Sequence, residues 1–254
     1  MQLNPFVYTE DLKVRTSACD FMDTMKPSSI LEAFQEVAGQ QCMLAGVGSK
    51  NMLRQNRAWV LVQVEAQVQT LPTSGQLLEV STFPGKVRHS LFPRYSIIRD
   101  KASGEALIYG SSIWVVMDMT TRQAIHAEDI ANLMEKPEDV EVPQIPMKSP
   151  SSVRLLDGET EIHEFQALVS DLDVNRHVNN VKYMDWCLNA LGEERVKTMQ
   201  VKQFAVEYTK EIRPASYVTT ELCVQDSDFS FFGREGDERH FMVSGRLEPR
   251  NTNE

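Results

Sequence analysis

The 254-residue sequence lacks most of the features that mark secreted, membrane-spanning or metal-binding proteins. Its four cysteines are scattered, with no Cys-x-x-Cys pair and no cluster with histidine, so we expect neither structural disulfides nor a zinc site. No apolar run reaches the roughly 18 residues of a membrane span, and the first residues lack the apolar stretch of a signal peptide. We therefore expect a cytoplasmic protein without a metal or other cofactor.

The sequence also lacks an excess of positive charge. Lys and Arg number 26 against 36 Asp and Glu, and the formal net charge is −10. Nucleic acids and anionic membrane surfaces attract basic proteins, so we expect neither as a partner, and no membrane insertion. An acidic partner would have to be bound by a local basic patch.

Proline is concentrated in one segment. Residues 137–150, PEDVEVPQIPMKSP, hold four of the eleven prolines and show neither helical nor strand periodicity. This composition is typical of a semi-extended linker. We predict an N-terminal domain at residues 1–136, a linker at 137–152 and a C-terminal domain at 153–254, each domain of ordinary size.

Each predicted domain contains one amphipathic helix pattern. The first, PSSILEAFQEVAGQQCMLAG, has Ser29 and Glu32 at the spacing of a capping box. The second, VKYMDWCLNALG, is expected to end at Gly192. Both patterns are followed by segments of alternating hydrophobicity, which predict antiparallel strands.

The strand patterns of the two domains match each other. VEAQVQTLPTS and VEYTKEIRPAS align with Val64 against Val206, and their flanking helices occur in the same order. This agreement favours duplication of one unit. We therefore predict an α+β fold in which each half wraps an antiparallel sheet around its helix. One face of the first strand is expected to hold Val60, Val62, Val64, Ala66 and Val68.

The two halves differ just before the helix. We align DFMDTMKPSSI, which begins at Asp20, with DLDVNRHVNNV, which begins at Asp171, and Gln69 with Glu211. In this alignment the first half has none of the polar groups that distinguish the second, so the corner can be built without them. We interpret these groups as candidate catalytic residues: Asp173, Asn175, His177 and Glu211.

Their chemistry suits attack on a carbonyl. Amides at a helix start and the Asn175 side chain could hold a polarised carbonyl oxygen, and His177 or a carboxylate could activate water. The sequence has no Gly-x-Ser-x-Gly motif for a serine nucleophile. Asn179 and Asn180 are assigned mainly to the turn and cap before the helix.

These residues also carry a family likeness. DLDVNRHVNNVKYMDW resembles the D-x-N-x-H-V-N-N signature of plant and bacterial acyl-acyl-carrier-protein (acyl-ACP) thioesterases. The segment IWVVMDMTTRQ resembles that family's W-x-x-x-D-x-x-T-R pattern. The resemblance implies two tandem hotdog folds and hydrolysis of fatty acyl-ACP to free fatty acid and holo-ACP. It places the catalytic set on the same four residues.

One departure from the family bears on mechanism. Some relatives have a cysteine directly after the position of Glu211, where this sequence has Ile212, and Cys187 lies ten residues past His177. We therefore expect water attack. In this hypothesis Glu211 activates the water beside His177, while Asp173 orients Asn175 or the water, and the division of roles between the two carboxylates stays open.

The resemblance also implies a partner, an acyl carrier protein whose 4'-phosphopantetheine group bears the fatty acyl chain. This partner is acidic, so Arg176, Lys182 and Arg122 are among several basic residues near the motifs that are candidate contacts. Trp59 and Ile113 are candidate walls of an acyl pocket in the first half. Alternatives are an acyl-CoA thioesterase, a hotdog dehydratase and a non-catalytic acyl-ligand sensor. The sequence leaves a homodimer, the chain length and the saturation preference open.

Overall fold

The computed structural model describes residues 6–250, which fold as two similar halves. The helices of the first half are α1 (Pro27–Leu44), α2 (Ser49–Arg54) and α3 (Glu128–Leu133). Its strands are β1 (Tyr8–Lys13), β2 (Arg57–Val68), β3 (Leu77–Pro84), β4 (Phe92–Asp100), β5 (Ala106–Asp118) and β6 (Ala124–Ile125). The second half contains helix α4 (Lys182–Thr198) and strands β7 (Glu161–Gln166), β8 (Met199–Tyr208), β9 (Tyr217–Gln225), β10 (Asp228–Glu235) and β11 (Glu238–Pro249).

Within residues 6–250 the eleven strands form one antiparallel sheet with a symmetric order. The path runs β1-β3-β4-β5-β2-β8-β11-β10-β9-β7, and β6 pairs with β5. The halves join where β2 pairs with β8, and each half runs outward from that seam in the same order of connections. Helix α1 packs on β1 and β3, and α4 packs on the strands of the second half. The predicted pair of helix-and-sheet units in tandem is confirmed.

Both predicted helices are present, and the start of the first needs a correction. Pro27, with its fixed φ, starts α1, so Lys26 is the N-cap. Lys26 makes no side-chain cap bond, because an ammonium group cannot accept one. Ser29 therefore lies inside the first turn, and the predicted capping box is wrong. Gly192, the predicted end of the second helix, has φ 78° and non-helical backbone, so the helix that begins at Lys182 stops there as predicted. A further helical segment follows across this kink and extends α4 to Thr198.

The predicted buried face of the first strand holds only in part. Val64, Ala66 and Val68 are buried, but Val60 and Val62 are half-buried and Leu61 is buried in their place. The pairing of β2 with β5 shifts between Leu61 and Gln63, so a β-bulge reverses the alternation there.

A second bulge corrects the register of the internal repeat. The pairing of β8 with β11 shifts between Val201 and Gln203, which places Lys202 where β2 has Val62. This register differs by two residues from the one that sets Val64 against Val206. Because side chains alternate with a period of two along a strand, the two registers predict the same buried face.

The segment between α3 and β7 contains no helix or strand. Val140, Val142 and Ile145 pack against Phe83 and Ile97, so the segment lies on the sheet of the first half. The exact limits of the linker stay a prediction. No helix within residues 6–250 has the length and apolar character required to cross a membrane.

Candidate functional site

The loop before α4 is organised by the carboxylate of Asp173. Its Oδ1 accepts hydrogen bonds from the backbone N–H groups of Asn175 (2.8 Å) and His177 (3.1 Å). Its Oδ2 accepts one from the Asn175 side-chain amide at 3.2 Å. At the tip, Arg176 has φ 65°, a conformation that residues other than glycine seldom adopt. Asp173 therefore shapes the loop and fixes the Asn175 amide.

The first half contains the same loop. There Asp20 accepts backbone hydrogen bonds from Met22 (2.9 Å) and Thr24 (3.0 Å), and Asp23 at the tip has φ 59°. The hydrogen bonds thus match Asp20 with Asp173, Met22 with Asn175 and Thr24 with His177.

This match corrects the sequence alignment, which set Asp20 against Asp171. The inference that the corner can be built without Asp173 is wrong, because Asp20 performs the same backbone task in the first half. Asn175 and His177 are the loop groups that the first half lacks.

Glu211 reaches the loop from the segment after β8. The backbone N–H of Val178 donates to the Ile212 carbonyl at 2.9 Å and ties this segment to the loop. His177 Nε2 lies 3.3 Å from Glu211 Oε2, and Arg122 Nη2 lies 2.8 Å from the same oxygen. The side chains of His177 and Glu211 are 29% and 40% exposed, so a substrate can reach them.

The first-half counterpart of Glu211 also differs from the expected one. Met25 donates to the Pro72 carbonyl at 2.8 Å, as Val178 donates to that of Ile212. Leu71, rather than Gln69, therefore occupies the position of Glu211. The first half has no acid at either position.

Buried aromatic and imidazole rings support this corner. Tyr183 stacks on Phe241 with ring centroids 4.2 Å apart, and burial raises the pKa of the Tyr183 hydroxyl. His240 is 3% exposed, and its Nδ1 lies 3.1 Å from the Glu211 carbonyl oxygen. Nothing near His240 in the sequence signals this contact with Glu211.

The backbone amides at the start of α4 are less available to a substrate carbonyl than expected. The N–H of Val181 donates to Asn179 Oδ1 (3.3 Å) and that of Lys182 to the Asn179 carbonyl (2.8 Å). Asn179 thus builds the turn, as predicted, whereas no side-chain bond caps α4. Because these two amides are already paired, the Asn175 side chain is the better donor for a carbonyl oxygen.

Cysteine chemistry does not fit this corner. Ile212, next to Glu211, is fully buried, and Cys187 in α4 is 0% exposed. Burial raises the pKa of the Cys187 thiol well above its usual range. A thiolate nucleophile is therefore disfavoured, in agreement with the expectation from sequence.

A cavity of about 160 Å³ lies in the first half, away from His177 and Glu211. Trp59 borders it and stands edge-on to Phe92, with ring centroids 5.1 Å apart. Its Nε1 donates a hydrogen bond to the Val47 carbonyl. On β5 the cavity is bordered by Trp114, while its neighbour Ile113 is buried elsewhere, because successive side chains alternate between faces.

The predicted basic contacts have different surroundings. Arg176 is exposed at the loop tip. Lys182 pairs with Asp185 at 3.1 Å, and Arg122 contacts Glu211.

Comparison with known proteins gives concordant matches. The profile of the acyl-ACP thioesterase N-terminal domain matches residues 5–133, and that of the C-terminal domain matches residues 156–236. The chloroplastic palmitoyl-acyl carrier protein thioesterase of Cuphea hookeriana is 27% identical over 238 residues, covering 90% of this chain and 57% of that protein. The Arabidopsis thaliana protein of the same name is 25% identical, covering 91% of this chain and 58% of that protein. The chain thus spans less than two thirds of the length of these relatives.

Solved structures agree on the fold. An acyl-ACP thioesterase from Bacteroides thetaiotaomicron superposes with a TM-score of 0.85 at 20% identity, covering 98% of this chain and 100% of the other. The 12:0-ACP thioesterase from Umbellularia californica gives 0.81 at 21% identity, with the same coverage.

Proposed function

The chain belongs to the acyl-ACP thioesterase family, and on this premise we propose that it hydrolyses fatty acyl-ACP to free fatty acid and holo-ACP. The observation that carries the proposal is the contact of His177 with Glu211, 3.3 Å apart and accessible to a substrate, beside the Asn175 amide. A plain acyl-binding sensor has no use for such a pair.

In the proposed reaction, Glu211 and His177 act together as the base. They remove a proton from a water molecule as its oxygen attacks the thioester carbonyl carbon. The C–S bond of the tetrahedral intermediate then breaks, and the proton passes to the leaving sulfur to give the thiol. General-base assistance of this kind typically contributes 10²–10⁴-fold in rate.

The Asn175 amide is the proposed donor to the carbonyl oxygen. One of its N–H bonds points at Asp173 Oδ2, which fixes the amide plane and leaves the second N–H for the substrate. Asp173 then orients Asn175 rather than the water. A preorganised donor to the developing oxyanion is worth about 10²–10³-fold.

We place the acyl chain toward the first-half cavity beside Trp59 and Trp114. Strand β5 links the two places, because it carries Trp114 at the cavity and leads into the turn of Arg122 at Glu211. Exposed Arg176 is the better candidate contact for the acidic carrier protein, since Lys182 is already paired with Asp185. Reversing the charge at Arg176 should raise KM for acyl-ACP, and an unchanged KM would dismiss this contact.

The decisive experiment incubates the purified chain with acyl-ACPs of graded chain length and measures free fatty acid and free thiol. Glu211→Gln and His177→Ala should each lower turnover by about 10²–10⁴-fold. Near-normal turnover in both variants contradicts the site. Acyl-CoAs with the same chains form a parallel arm, and faster hydrolysis of these would assign coenzyme A as the carrier. A dehydratase would release no thiol from these substrates, and would instead convert a 3-hydroxyacyl-ACP, supplied as a third arm, into the 2-enoyl-ACP and water.

Other expectations stay predictions. The relatives from Cuphea hookeriana and Arabidopsis thaliana are chloroplastic, whereas the sequence led us to expect a cytoplasmic location. A homodimer stays an open alternative, to be checked by light scattering.

A further inference from the structure

The turn after β5 is built to hold one arginine. Asp118 Oδ1 accepts the backbone N–H groups of Thr120 (2.9 Å) and Thr121 (2.8 Å), and the N–H of Thr121 is the main cause of the lowered pKa of the Asp118 carboxyl. The Arg122 N–H donates to the Asp118 carbonyl at 2.9 Å, and Arg122 has φ 58°. Asn56 Nδ2 donates to Thr120 Oγ1 at 2.7 Å and braces the turn from β2's side.

This turn belongs to the first half, but its arginine contacts the second. Arg122 Nη2 lies 2.8 Å from Glu211 Oε2, the oxygen that also faces His177. The side chains of Arg122 and Glu211 are 50% and 40% exposed. Ion pairs this exposed contribute little to folding stability, so stability does not account for the contact of Arg122 with Glu211.

The other half contains a counterpart. Arg250 directly follows β11, which ends at Pro249, whereas Arg122 lies in the turn after β5, which ends at Asp118, and Arg250 crosses the seam in the opposite direction. Its Nη2 lies 2.8 Å from Asp20 Oδ2, and its Nη1 donates to Thr24 Oγ1 at 2.9 Å. The side chains of Arg250 and Asp20 are 9% and 7% exposed. In each half, the loop before the long helix and the segment after the first long strand form a corner that is contacted by an arginine from the opposite half. The arginine pair is nearly buried in the first half and exposed in the second.

We propose that Arg122 is a positioning residue that the first half supplies to the catalytic corner, where it holds the Glu211 carboxylate against His177. The inference rests on the proposed function. A guanidinium on Oε2 restricts rotation of the Glu211 side chain and keeps this oxygen within reach of the imidazole. The Trp-x-x-x-Asp-x-x-Thr-Arg pattern then has a physical meaning, because Asp118 forms the turn that presents Arg122.

The test compares Arg122→Gln, Arg122→Lys, Glu211→Gln and the double variant Arg122→Gln/Glu211→Gln in steady-state hydrolysis of acyl-ACP. Arg122→Gln should lower kcat roughly 10- to 100-fold, the loss of one charged hydrogen bond, with little change in KM or Tm. Arg122→Lys should restore part of kcat. The double variant should be no slower than Glu211→Gln, because Arg122 acts through that carboxylate.

Arg213→Gln is the matched control. Arg213 is exposed two residues from Glu211, and its replacement removes the same charge without removing a contact to Glu211. Its kcat should stay at the wild-type value. An equal loss of kcat in Arg213→Gln, or a loss in Arg122→Gln that persists in the Glu211→Gln background, overturns the proposal. A change confined to KM would assign Arg122 to carrier binding and overturns it as well.

A crystal structure of Arg122→Gln separates this inference from the proposed function. We expect the Glu211 carboxylate to leave hydrogen-bond distance of His177 Nε2, and an unmoved carboxylate refutes the positioning role. If the wild-type chain releases no fatty acid from any acyl-ACP, the proposed function fails, while the structure still decides the role of Arg122.

Discussion

The replacement Asp173→Asn tests how the Asn175 amide is oriented. Asp173 Oδ1 accepts two backbone N–H groups, and Oδ2 accepts the Asn175 side chain. A new amide can keep its oxygen toward the backbone donors, but its NH₂ group then faces the NH₂ group of Asn175. Two donors cannot bond, so Asn175 must turn over and present its carbonyl to the new amide.

The expected size of the effect follows from these bonds. Turning Asn175 over removes one donor to the oxyanion, which costs about 10²–10³-fold in kcat, or about 2.7–4 kcal/mol. Folding stability should fall by only about 0.5–1.5 kcal/mol, because the two backbone bonds persist. Asp173→Ala should lose about 3 kcal/mol, since all three hydrogen bonds are removed.

Turnover is measured as thiol release from saturating acyl-ACP, and stability as the free energy of unfolding in urea. Asp20→Asn is the matched control, because Asp20 shapes the equivalent loop in the first half. That variant should lose stability through its weakened pair with Arg250 but retain kcat. The reasoning is refuted if Asp173→Asn keeps a near-normal kcat, or if Asp20→Asn slows turnover by the same factor.

Three further predictions concern packing and the unused thiol. Arg250→Gln leaves the buried Asp20 without its ion-pair partner and should cost about 3–5 kcal/mol of stability in urea unfolding. A nearly unchanged free energy of unfolding would contradict this prediction. Gly110→Ala places a Cβ 2.3 Å from the Phe34 ring and should cost about 1–3 kcal/mol, seen as a lower Tm; an unchanged Tm would show that the ring moves freely. Cys187→Ala should keep kcat, and iodoacetamide should leave folded Cys187 unmodified by mass spectrometry; loss of turnover would revive a thiol mechanism.

Element type was predictable from sequence wherever one face is buried. The apolar period of α1 and the alternation around Val64 and Phe204 were sufficient, because burial of those faces is the main stabilising term. The bulge at Val62 was not predictable, since it depends on how β2 pairs with β5 rather than on composition. The failed capping box has a similar cause: Ser29 and Glu32 have the right spacing, but Pro27 already starts the helix.

The four candidate residues were found through an alignment whose register was wrong. The sequence alignment matched Asp20 with Asp171, whereas the backbone hydrogen bonds match Asp20 with Asp173. The error still singled out Asn175 and His177, since the first half lacks an amide and an imidazole in either register. Arg122 was assigned only to a basic patch, because its contact with Glu211 forms across the seam between the halves and leaves no local pattern in the sequence.

The different contacts of Arg122 and Arg250 explain why one corner is a candidate site and the other is not. In the first half Arg250 fills the corner, with Asp20 and Thr24 as partners and little exposed surface. An imidazole introduced at Thr24 would meet that guanidinium, which disfavours protonation of the ring by its positive charge and occupies the ring's acceptor nitrogen. Restoring the missing amide, imidazole and carboxylate would therefore not create a second site while Arg250 remains. The second half stays accessible because its arginine contacts Glu211 rather than the loop, and His177 keeps a carboxylate as its neighbour.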